Sequence, residues 1–206
     1  MELYEAIRKR RTVRDFATMQ VPDEILRRLL EAGLKAPSHD HARDWHFVVL
    51  RNPEHIARVL KLVAHGAEIQ TGIIDHWETA TECQKSMYYD ALPKQVRMLS
   101  QSRCLVVPLF RADKELAASP DISSLNSFAS IWCVIENILL AAAAEGLSCA
   151  LRIPIQGEEA YVREAIHAPA GYRMPCYLAV GYPSEDARII AQQEISTPDR
   201  IHAEQW

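Results

Sequence analysis

Three arginines fall within five positions near the amino terminus, at Arg10, Arg11 and Arg14. Like charges held within one Debye length repel one another, so such a cluster favours an anion lying between them. Each guanidinium group offers a planar fork of donors that matches the oxygens of a phosphate. The spacing therefore indicates a phosphate-binding group. A solvated basic helix end is the alternative, because many charge runs are no more than that.

A second candidate group combines His39, Asp40 and His41 with Asp44 and His46. Imidazoles and carboxylates bind zinc or iron, so these residues raise the possibility of a metal site. The first and last residues of the His-Asp-His run are only two positions apart on a loop, and no distant third ligand is evident. We therefore favour a loop without a metal.

The five cysteines are odd in number and widely spaced, and no Cys-x-x-Cys pair suggests zinc binding or redox exchange. Cys133 and Cys149 are candidates for catalytic thiols. A reactive thiolate needs a depressed pKa and exposure, whereas both of these residues lie in apolar runs. We expect most of the cysteines, including these two, to pack in the core.

The composition indicates one ordinary globular domain over residues 1–206, since 49% of the residues are hydrophobic. A net charge of −4 argues against nucleic-acid or membrane attraction, which would need a basic surplus. The first turns contain charged residues and show no secretory signal, so we expect a cytoplasmic protein. The glycines match neither Gly-x-Gly-x-x-Gly nor the P-loop, which disfavours a dinucleotide-binding Rossmann domain.

Hydrophobic periodicity and helix-boundary residues predict the elements that position these groups. Helices are predicted over residues 2–10, 22–36, 53–63, 124–145 and 158–166. Strands are predicted over residues 45–50, 104–110, 148–153 and 176–181. Pro108 favours an edge or strand-end position for the second strand, because proline cannot donate to a ladder. Residues 65–95 show no clear period and are interpreted as a possible lid.

The longest apolar run covers residues 128–151 and is long enough to span a bilayer. Glu136, Asn137 and Glu145 interrupt it, and Gly146 marks a helix end. A buried helix fits these residues better than a membrane span. Because this helix is apolar on most sides, its burial requires more than its own subunit, which indicates a dimer. The aromatic residue Trp206 suggests that the tail beyond Tyr182 packs on something.

Several motifs in order resemble those of the FMN-dependent nitroreductase family. Residues 10–16 read RRTVRDF and residues 36–45 read APSHDHARDW, similar to the family's RRS-x-R-x-F and APS-x-x-N-x-Q-P-W. Residues 125–157 resemble its central helix, strand and Pro-Ile-Glu-Gly loop, and 165–183 its last strand and Gly-Tyr-Pro. The resemblance implies an α+β fold with three α/β/α layers. It further implies a mostly antiparallel sheet flanked by helices, a long buried dimer-interface helix and an extended C-terminal tail.

The resemblance also implies a set of flavin contacts. Those implied for the FMN phosphate and ribityl chain are Arg10, Arg11, Thr12 and Arg14. Those implied for the outer face of the ring, from the other subunit, are Pro37, Ser38 and His39. His41 of the same loop is also implied to bind the cofactor. The backbone amides of one loop are implied to meet flavin N5 and the pyrimidine edge. This loop consists of Pro154, Ile155, Gln156 and Gly157. Arg97 aligns with a second basic contact to the flavin.

The sequence departs from the family pattern at several of these places. His41 replaces an Asn, and the pair Arg43 and Asp44 replaces Gln-Pro. Gln156 replaces a common Glu, which we interpret as a change in flavin potential or in the accepted hydride donor. Glu194 stands where the family has a basic residue near the phosphate, and Arg188 or Arg200 is a substitute in a shifted register. The central-helix positions that the family commonly fills with Asp and Gly hold Ser130 and Trp132.

The resemblance implies an FMN-dependent oxidoreductase, a homodimer with flavin sites at its interface. It would use NAD(P)H to reduce a small acceptor such as a nitroaromatic or quinone by a ping-pong mechanism, with no side chain needed as acid or base. Alternatives within the fold are flavin fragmentation and a dehalogenase-like reaction on an aromatic ligand. The lid residues that would close over such a ligand are Trp77, Glu82, Lys85, Tyr88 and Tyr89. A degenerate, non-enzymatic flavin-binding member is the remaining alternative.

Overall fold

The computed structural model describes residues 1–64, 77–112 and 121–206. Its helices are α1 (Leu3–Lys9), α2 (Asp23–Gly33), α3 (Pro53–Val59), α4 (Glu82–Ala91), α5 (Gln95–Gln101), α6 (Asn126–Ala144) and α7 (Glu158–Ala165). Its strands are β1 (Trp45–Leu50), β2 (Leu105–Arg111), β3 (Ser148–Arg152), β4 (Tyr172–Arg173) and β5 (Tyr177–Gly181). The elements predicted from periodicity are therefore present, and their ends shift by a few residues.

Local capping explains where two of the helices begin. The side chain of Asn52 caps α3, because it accepts hydrogen bonds from the backbone N–H groups of Glu54 and His55. The helix therefore starts at Pro53, and proline is favoured at a first helical position. Helix α4 begins with a capping box between Thr81 and Gln84. Helix α4 occupies part of the segment predicted as a lid. The segment 65–76 of that predicted lid lies outside the described residues.

The sheet has the strand order β1-β2-β5-β3, with β4 also pairing with β2, and all of these pairs are antiparallel. The prediction that Pro108 marks an edge or a strand end is wrong, because β2 is central. Pro108 is opposite Phe47 of β1. On its other side β2 pairs with β5 only at residues 105–106 and with β4 only at residues 110–111. The proline falls between these two ladders, where no N–H donor is required.

Side-chain alternation along the central strands builds the three layers. Val106 and Phe110 of β2 face a cluster with α2 and α6, whereas Leu105, Val107 and Leu109 face a second cluster with α3, α5 and α7. A strand that is buried on both faces must be apolar at successive positions, as β2 is. The α/β/α layering and the mostly antiparallel sheet are confirmed.

Helix α6 is only partly covered by its own chain. The residues that it buries against α2 and the sheet are Ile131, Val134, Ile135, Ile138 and Ala142. On the outward side Ala129, Cys133, Glu136 and Ala144 are exposed. The helix with its preceding turn is long and apolar enough to cross a membrane by composition alone. Its packing onto the sheet is that of a core helix.

The tail contacts the body from Tyr182 to Ala191, where the Ala191 carbonyl oxygen accepts from Cys83 Sγ at 3.2 Å, and is exposed beyond. Phe16 bridges Pro183, and the Ala17 N–H donates to the Tyr182 carbonyl oxygen at 2.9 Å. Residues 191–206 are all exposed, which confirms the extended tail. Trp206 is fully exposed in this single chain, and among the described residues its ring meets the His202 ring at 4.6 Å between centroids. The expectation that the tail packs on something therefore remains a prediction.

Candidate functional site

Residues 10–14, which we call the basic segment, follow α1 and run alongside β3. Thr12 forms a parallel bridge with Cys149, and the Val13 N–H donates to the Cys149 carbonyl oxygen at 3.2 Å. This pairing fixes the backbone of the preceding two arginines beside the start of the strand. It positions Arg10 and Arg11 at a cleft rather than in open solvent.

The cleft has a volume of about 170 Å³. Its polar lining includes Lys9, Arg10, Arg11, Thr12 and Ser148, and its apolar lining includes Leu139, Leu147, Leu151, Pro183 and Ile189. Arg11 donates from Nη1 to the carbonyl oxygens of Arg8 at 3.0 Å and Arg10 at 2.8 Å. Arg10 Nε lies 3.9 Å from Glu136 Oε1. Guanidinium groups beside a hydroxyl are a donor set suited to a phosphate.

Arg14 and Arg97, which were also predicted to contact the flavin, are bound to carboxylates in an ionic network. We define this network as Arg14, Asp15, Asp90, Lys94 and Arg97. Its contacts are Arg14 Nη1 to Asp90 Oδ2 at 3.2 Å, Lys94 Nζ to both Asp90 Oδ1 and Asp15 Oδ2 at 2.6 Å, and Arg97 Nη2 to Asp15 Oδ1 at 2.7 Å. The network joins the basic segment to α4 and α5. Neither arginine lines the cleft of Arg10 and Arg11.

The network shifts the pKa of two of its members. Burial by itself would raise the pKa of Asp15, but hydrogen bonds from Lys94 and from the Arg188 N–H, with the charges of Lys94 and Arg97, hold that pKa below its ordinary value. Burial by itself would lower the pKa of Lys94, but its bonds to Asp15 and Asp90 raise that pKa. Both groups are therefore ionised over a wider pH range than when isolated.

The loop after β3 contains Pro154, Ile155, Gln156 and Gly157, as predicted, and it is held by a buried ion pair between Arg152 and Glu158. The Ile155 N–H donates to Glu158 Oε2 at 3.2 Å, so it is directed at this carboxylate. Gln156 and Gly157 are exposed and have φ values of 39° and 83°. Their left-handed backbone forms the exposed turn between β3 and α7.

The loop over residues 37–44 is the other predicted flavin contact. Pro37, His39 and His41 are exposed, and the Oγ of Ser38 is buried without a hydrogen-bond partner among the described residues. The His39 N–H donates to Ser130 Oγ at 3.1 Å, which gives a role to one departure from the family pattern. The backbone is left-handed at three non-glycine residues, Asp40, His41 and Arg43. Such conformations cost free energy and concentrate at functional sites.

The histidines and carboxylates of this region separate into two small groups. His39 Nε2 lies 3.0 Å from Asp40 Oδ2. His46 Nε2 lies 3.3 Å from Asp44 Oδ1, which also accepts a 2.5 Å hydrogen bond from the Tyr172 hydroxyl. That bond to Asp44 raises the pKa of Tyr172. Over the described parts of the chain, no three His, Cys, Asp or Glu side chains are arranged to hold a metal.

An aromatic group lies on and before α4. The Trp77 ring meets the Tyr89 ring edge-on at 5.3 Å between centroids and lies 6.2 Å from the Tyr88 ring. Lys85 pairs with Glu82 at 3.2 Å. Asp90 of the ionic network comes directly after the two tyrosines, so the aromatic group is linked to the basic segment.

The cysteines differ in exposure. Cys104, Cys149 and Cys176 are buried, and burial raises the pKa of Cys104 to about 11 and of Cys149 to about 12. Cys83 is half-buried. The expectation that Cys133 packs in the core is wrong for this chain, since it is exposed on the outward side of α6.

Sequence reasoning missed the polar residues that support the site. Asp90 and Lys94 are four positions apart, a spacing that signals a helical ion pair, yet their partner Asp15 is far away in the chain. Arg152 and Glu158 are six positions apart across a loop, which gives no periodic signal.

Comparison with known proteins places this geometry in context. The full length of the chain aligns with 88% of a candidate NADH dehydrogenase/NAD(P)H nitroreductase of Methanothermobacter thermautotrophicus, and 26% of the aligned residues are identical. It is 24% identical over 91% of its length to iodotyrosine deiodinase 1 of Mus musculus, of which 64% is aligned. A crystal structure of an iodotyrosine deiodinase bound to FMN and 3-iodo-L-tyrosine matches all of both chains with a TM-score of 0.75 at 19% identity, which shows the shared fold.

The family model for the Nitroreductase family matches residues 7–182. This range contains the basic segment, the loop over residues 37–44, the sheet and the loop after β3. The resemblance seen in the motifs is confirmed, and this chain belongs to the Nitroreductase family.

Proposed function

We propose that this protein is an FMN-dependent oxidoreductase that takes electrons from NAD(P)H and passes them to a small acceptor. The observation that carries the proposal is the cleft in which Arg10, Arg11 and Thr12 lie beside β3, a strand that ends in the exposed loop of Gln156 and Gly157. Membership of the Nitroreductase family supports it, as does the FMN bound in the deiodinase of the same fold.

The residues present fit a flavin mononucleotide. Thr12 is opposite Cys149, three residues before β3 ends at Arg152, and a strand rises about 3.3 Å per residue, so the basic segment and the start of the loop are separated by roughly 10 Å of strand. An extended ligand with a phosphate at one end matches this separation. The guanidinium groups would bind the phosphate, and the amides of Gln156 and Gly157 would meet the polar edge of the ring.

The chain contributes binding and electrostatics. When bound, the flavin supplies the hydride chemistry for both half-reactions. Exposed backbone N–H groups at the ring favour the electron-rich reduced form. The proposal needs no acid or base, so the buried thiols of Cys104 and Cys149, whose pKa values burial raises, have no catalytic task.

We also propose a homodimer that completes the site. Leu3, Tyr4 and Ile7 of α1 are exposed, and α1 packs beside α6, whose outward side carries Ala129 and Cys133. This apolar surface is well suited to a second copy of the chain. The strained loop over residues 37–44 would then line the partner's flavin.

Purified protein tests the proposal directly. We expect a yellow dimer whose flavin absorbance bleaches under anaerobic conditions with NADH or NADPH and returns with a nitroaromatic or quinone. A colourless protein that does not take up added FMN would support the degenerate, non-enzymatic alternative.

A second candidate is reductive dehalogenation of an aromatic ligand. It is favoured by the deiodinase relatives and by the aromatic group of Trp77, Tyr88 and Tyr89. The reaction replaces a carbon–iodine bond by a carbon–hydrogen bond, consumes two electrons and one proton, and releases iodide. Iodide release from 3-iodotyrosine with dithionite as the reductant would select this candidate, and its absence beside active nitroaromatic reduction would reject it.

A further inference from the structure

The loop after β3 is closed by a pair of buried charged residues. Arg152 is the last residue of β3 and Glu158 the first of α7, and their side chains are each only 2% exposed. Arg152 Nη2 donates to Glu158 Oε1 at 2.8 Å, and Nη1 donates to Oε2. We call this pair the clasp. A buried ion pair is a weak source of stability compared with apolar residues of the same volume. A geometric role is therefore the better account of the clasp.

The clasp also holds the backbone between its two ends. Arg152 Nη1 donates to the Ile153 carbonyl oxygen at 3.2 Å. Glu158 Oε2 accepts from the Ile155 N–H at 3.2 Å, and the Glu158 N–H donates to the Ile155 carbonyl oxygen at 2.9 Å. Three polar groups of the loop backbone are thus directed inward at the two clasp residues.

These inward bonds constrain the two residues that follow. Gln156 and Gly157 both have positive φ, 39° and 83°, and both are exposed. A non-glycine residue in this region persists only where its surroundings over-determine the backbone. The clasp supplies that constraint at Gln156, because it fixes the chain on both sides.

We infer that Arg152 and Glu158 are positioning residues that hold the amides of Gln156 and Gly157 toward the flavin ring and so set how strongly the protein prefers reduced over oxidised FMN. This inference rests on the proposed function. The Ile155 amide already donates to the carboxylate of Glu158, so it is not available to a ligand. The resemblance had included that amide among the flavin contacts.

The two oxidation states of the flavin respond differently to these amides. A donor beside the ring stabilises the form that carries more electron density, so a disordered loop weakens binding of reduced FMN more than binding of oxidised FMN. The arginines that would bind the phosphate lie roughly 10 Å of strand away from the loop, so we expect their contacts to be unaffected. The clasp therefore acts on redox preference rather than on overall affinity.

The test compares Glu158→Gln with Glu159→Gln as the matched control. Both changes remove one carboxylate from the first turn of α7, but Glu159 pairs with Arg163 and Arg173 and not with the loop. The first measurement is hydrogen exchange of the Ile155 amide in FMN-free protein. We expect at least tenfold faster exchange in Glu158→Gln and no change in the control.

The second measurement is the ratio of affinities for reduced and oxidised FMN, obtained by redox titration. We expect about a tenfold loss of that ratio in Glu158→Gln, which equals a downward shift of roughly 30 mV for a two-electron couple. Affinity for oxidised FMN should change less than threefold. The double variant Arg152→Met with Glu158→Met removes both charges together and serves if the single variant does not fold.

Two outcomes would overturn the inference. One is unchanged Ile155 exchange in the clasp variant, and the other is an unchanged affinity ratio once exchange has accelerated. A wild-type protein that takes up no FMN is a different result. It refutes the proposed function and with it the flavin part of the inference, while the exchange measurement still decides whether the clasp holds the loop.

Discussion

Arg14 Nη1 and Asp90 Oδ2 lie 3.2 Å apart, although 76 positions separate the two residues in the chain. Their side chains are only 12% and 2% exposed. The pair joins the basic segment beside β3 to helix α4. Lys94 binds both Asp15 and Asp90, so two carboxylates hold the attachment. The carboxylate of Asp90 is the more buried of the two and is shared by Arg14 and Lys94.

Removing that carboxylate should destabilise the protein. In Asp90→Asn the charges of Arg14 and Lys94 lose their shared partner, and breaking a buried pair costs about 3 kcal/mol. Urea or thermal unfolding measures this loss. Glu31→Gln is the control, since it breaks an exposed pair with Arg27 of 2.8 Å and should leave stability unchanged. Equal stability of the two variants would show that the network contributes nothing.

Stability should depend on pH through Asp15 and Lys94 in opposite directions. The pKa of Asp15 is lowered from 3.8, so its contribution is present above that pH and is lost as pH falls through the lower folded pKa. The pKa of Lys94 is raised from 10.5, so its contribution is present below that pH and is lost as pH rises through the folded pKa. Melting curves of wild type and Asp15→Asn should therefore differ at neutral pH and converge in strong acid. A constant difference down to the most acidic pH would contradict this.

The cleft arginines should recognise the phosphate of FMN and not its ring. A hydrogen bond to a charged group is worth about 1.5 to 3 kcal/mol, so Arg11→Met should weaken FMN binding roughly 10- to 100-fold. Riboflavin lacks the phosphate, and its affinity should not change. Fluorescence titration with both ligands measures the difference. Arg8→Met removes a charge from the same helix end outside the cleft lining and should leave both affinities intact.

The contact between α2 and α6 should not tolerate a larger residue at Gly33. A Cβ at this position would lie 2.8 Å from Ile138 Cγ1 and 3.2 Å from Val134 Cγ1. Gly33→Ala should therefore cost about 1 to 3 kcal/mol by overpacking. Ile138→Val keeps Cγ1 but removes Cδ1, which would lie 3.0 Å from the same Cβ, so the double variant should recover part of the loss in thermal unfolding. A double variant that is less stable than the sum of the single changes would refute the steric explanation.

The alkylation rate of the Cys133 thiol should report dimer formation. In the single chain it is exposed on the outward side of α6, whereas Cys104, Cys149 and Cys176 are buried. If that side binds a second copy, alkylation of Cys133 should slow as protein concentration rises. Mass spectrometry after timed alkylation gives the rate. A rate that does not depend on concentration, in protein shown to dimerise, would place the interface elsewhere.

Periodicity located α1, α2, α3, α6, α7 and the four longer strands, because each buries a face defined by its own residues. It gave no prediction for α4, α5 or the two-residue strand β4. It failed at Pro108, since the place of a proline in a sheet depends on where the neighbouring strands stop. It failed at Cys133 for a related reason, because α6 is apolar on most sides and its composition does not say which side the sheet covers.

The candidate site divides in the same way. The arginines of residues 10–14 were visible as a cluster, but only the folded chain separates Arg10 and Arg11 in the cleft from Arg14 in the ionic network. The carboxylate that binds Arg14 belongs to Asp90, which is distant in sequence. The clasp was not predictable, because its two residues belong to different elements and have no shared period.

The bridge between Thr12 and Cys149 has one more effect. In the strand order, β3 is a terminal strand, and terminal strands present unpaired backbone groups to which other polypeptides readily add. The basic segment pairs with β3 and so covers part of its unpaired side. Proteolytic loss of the first dozen residues would thus remove the arginines proposed to bind FMN. It would also expose unpaired backbone groups of β3 and so promote aggregation.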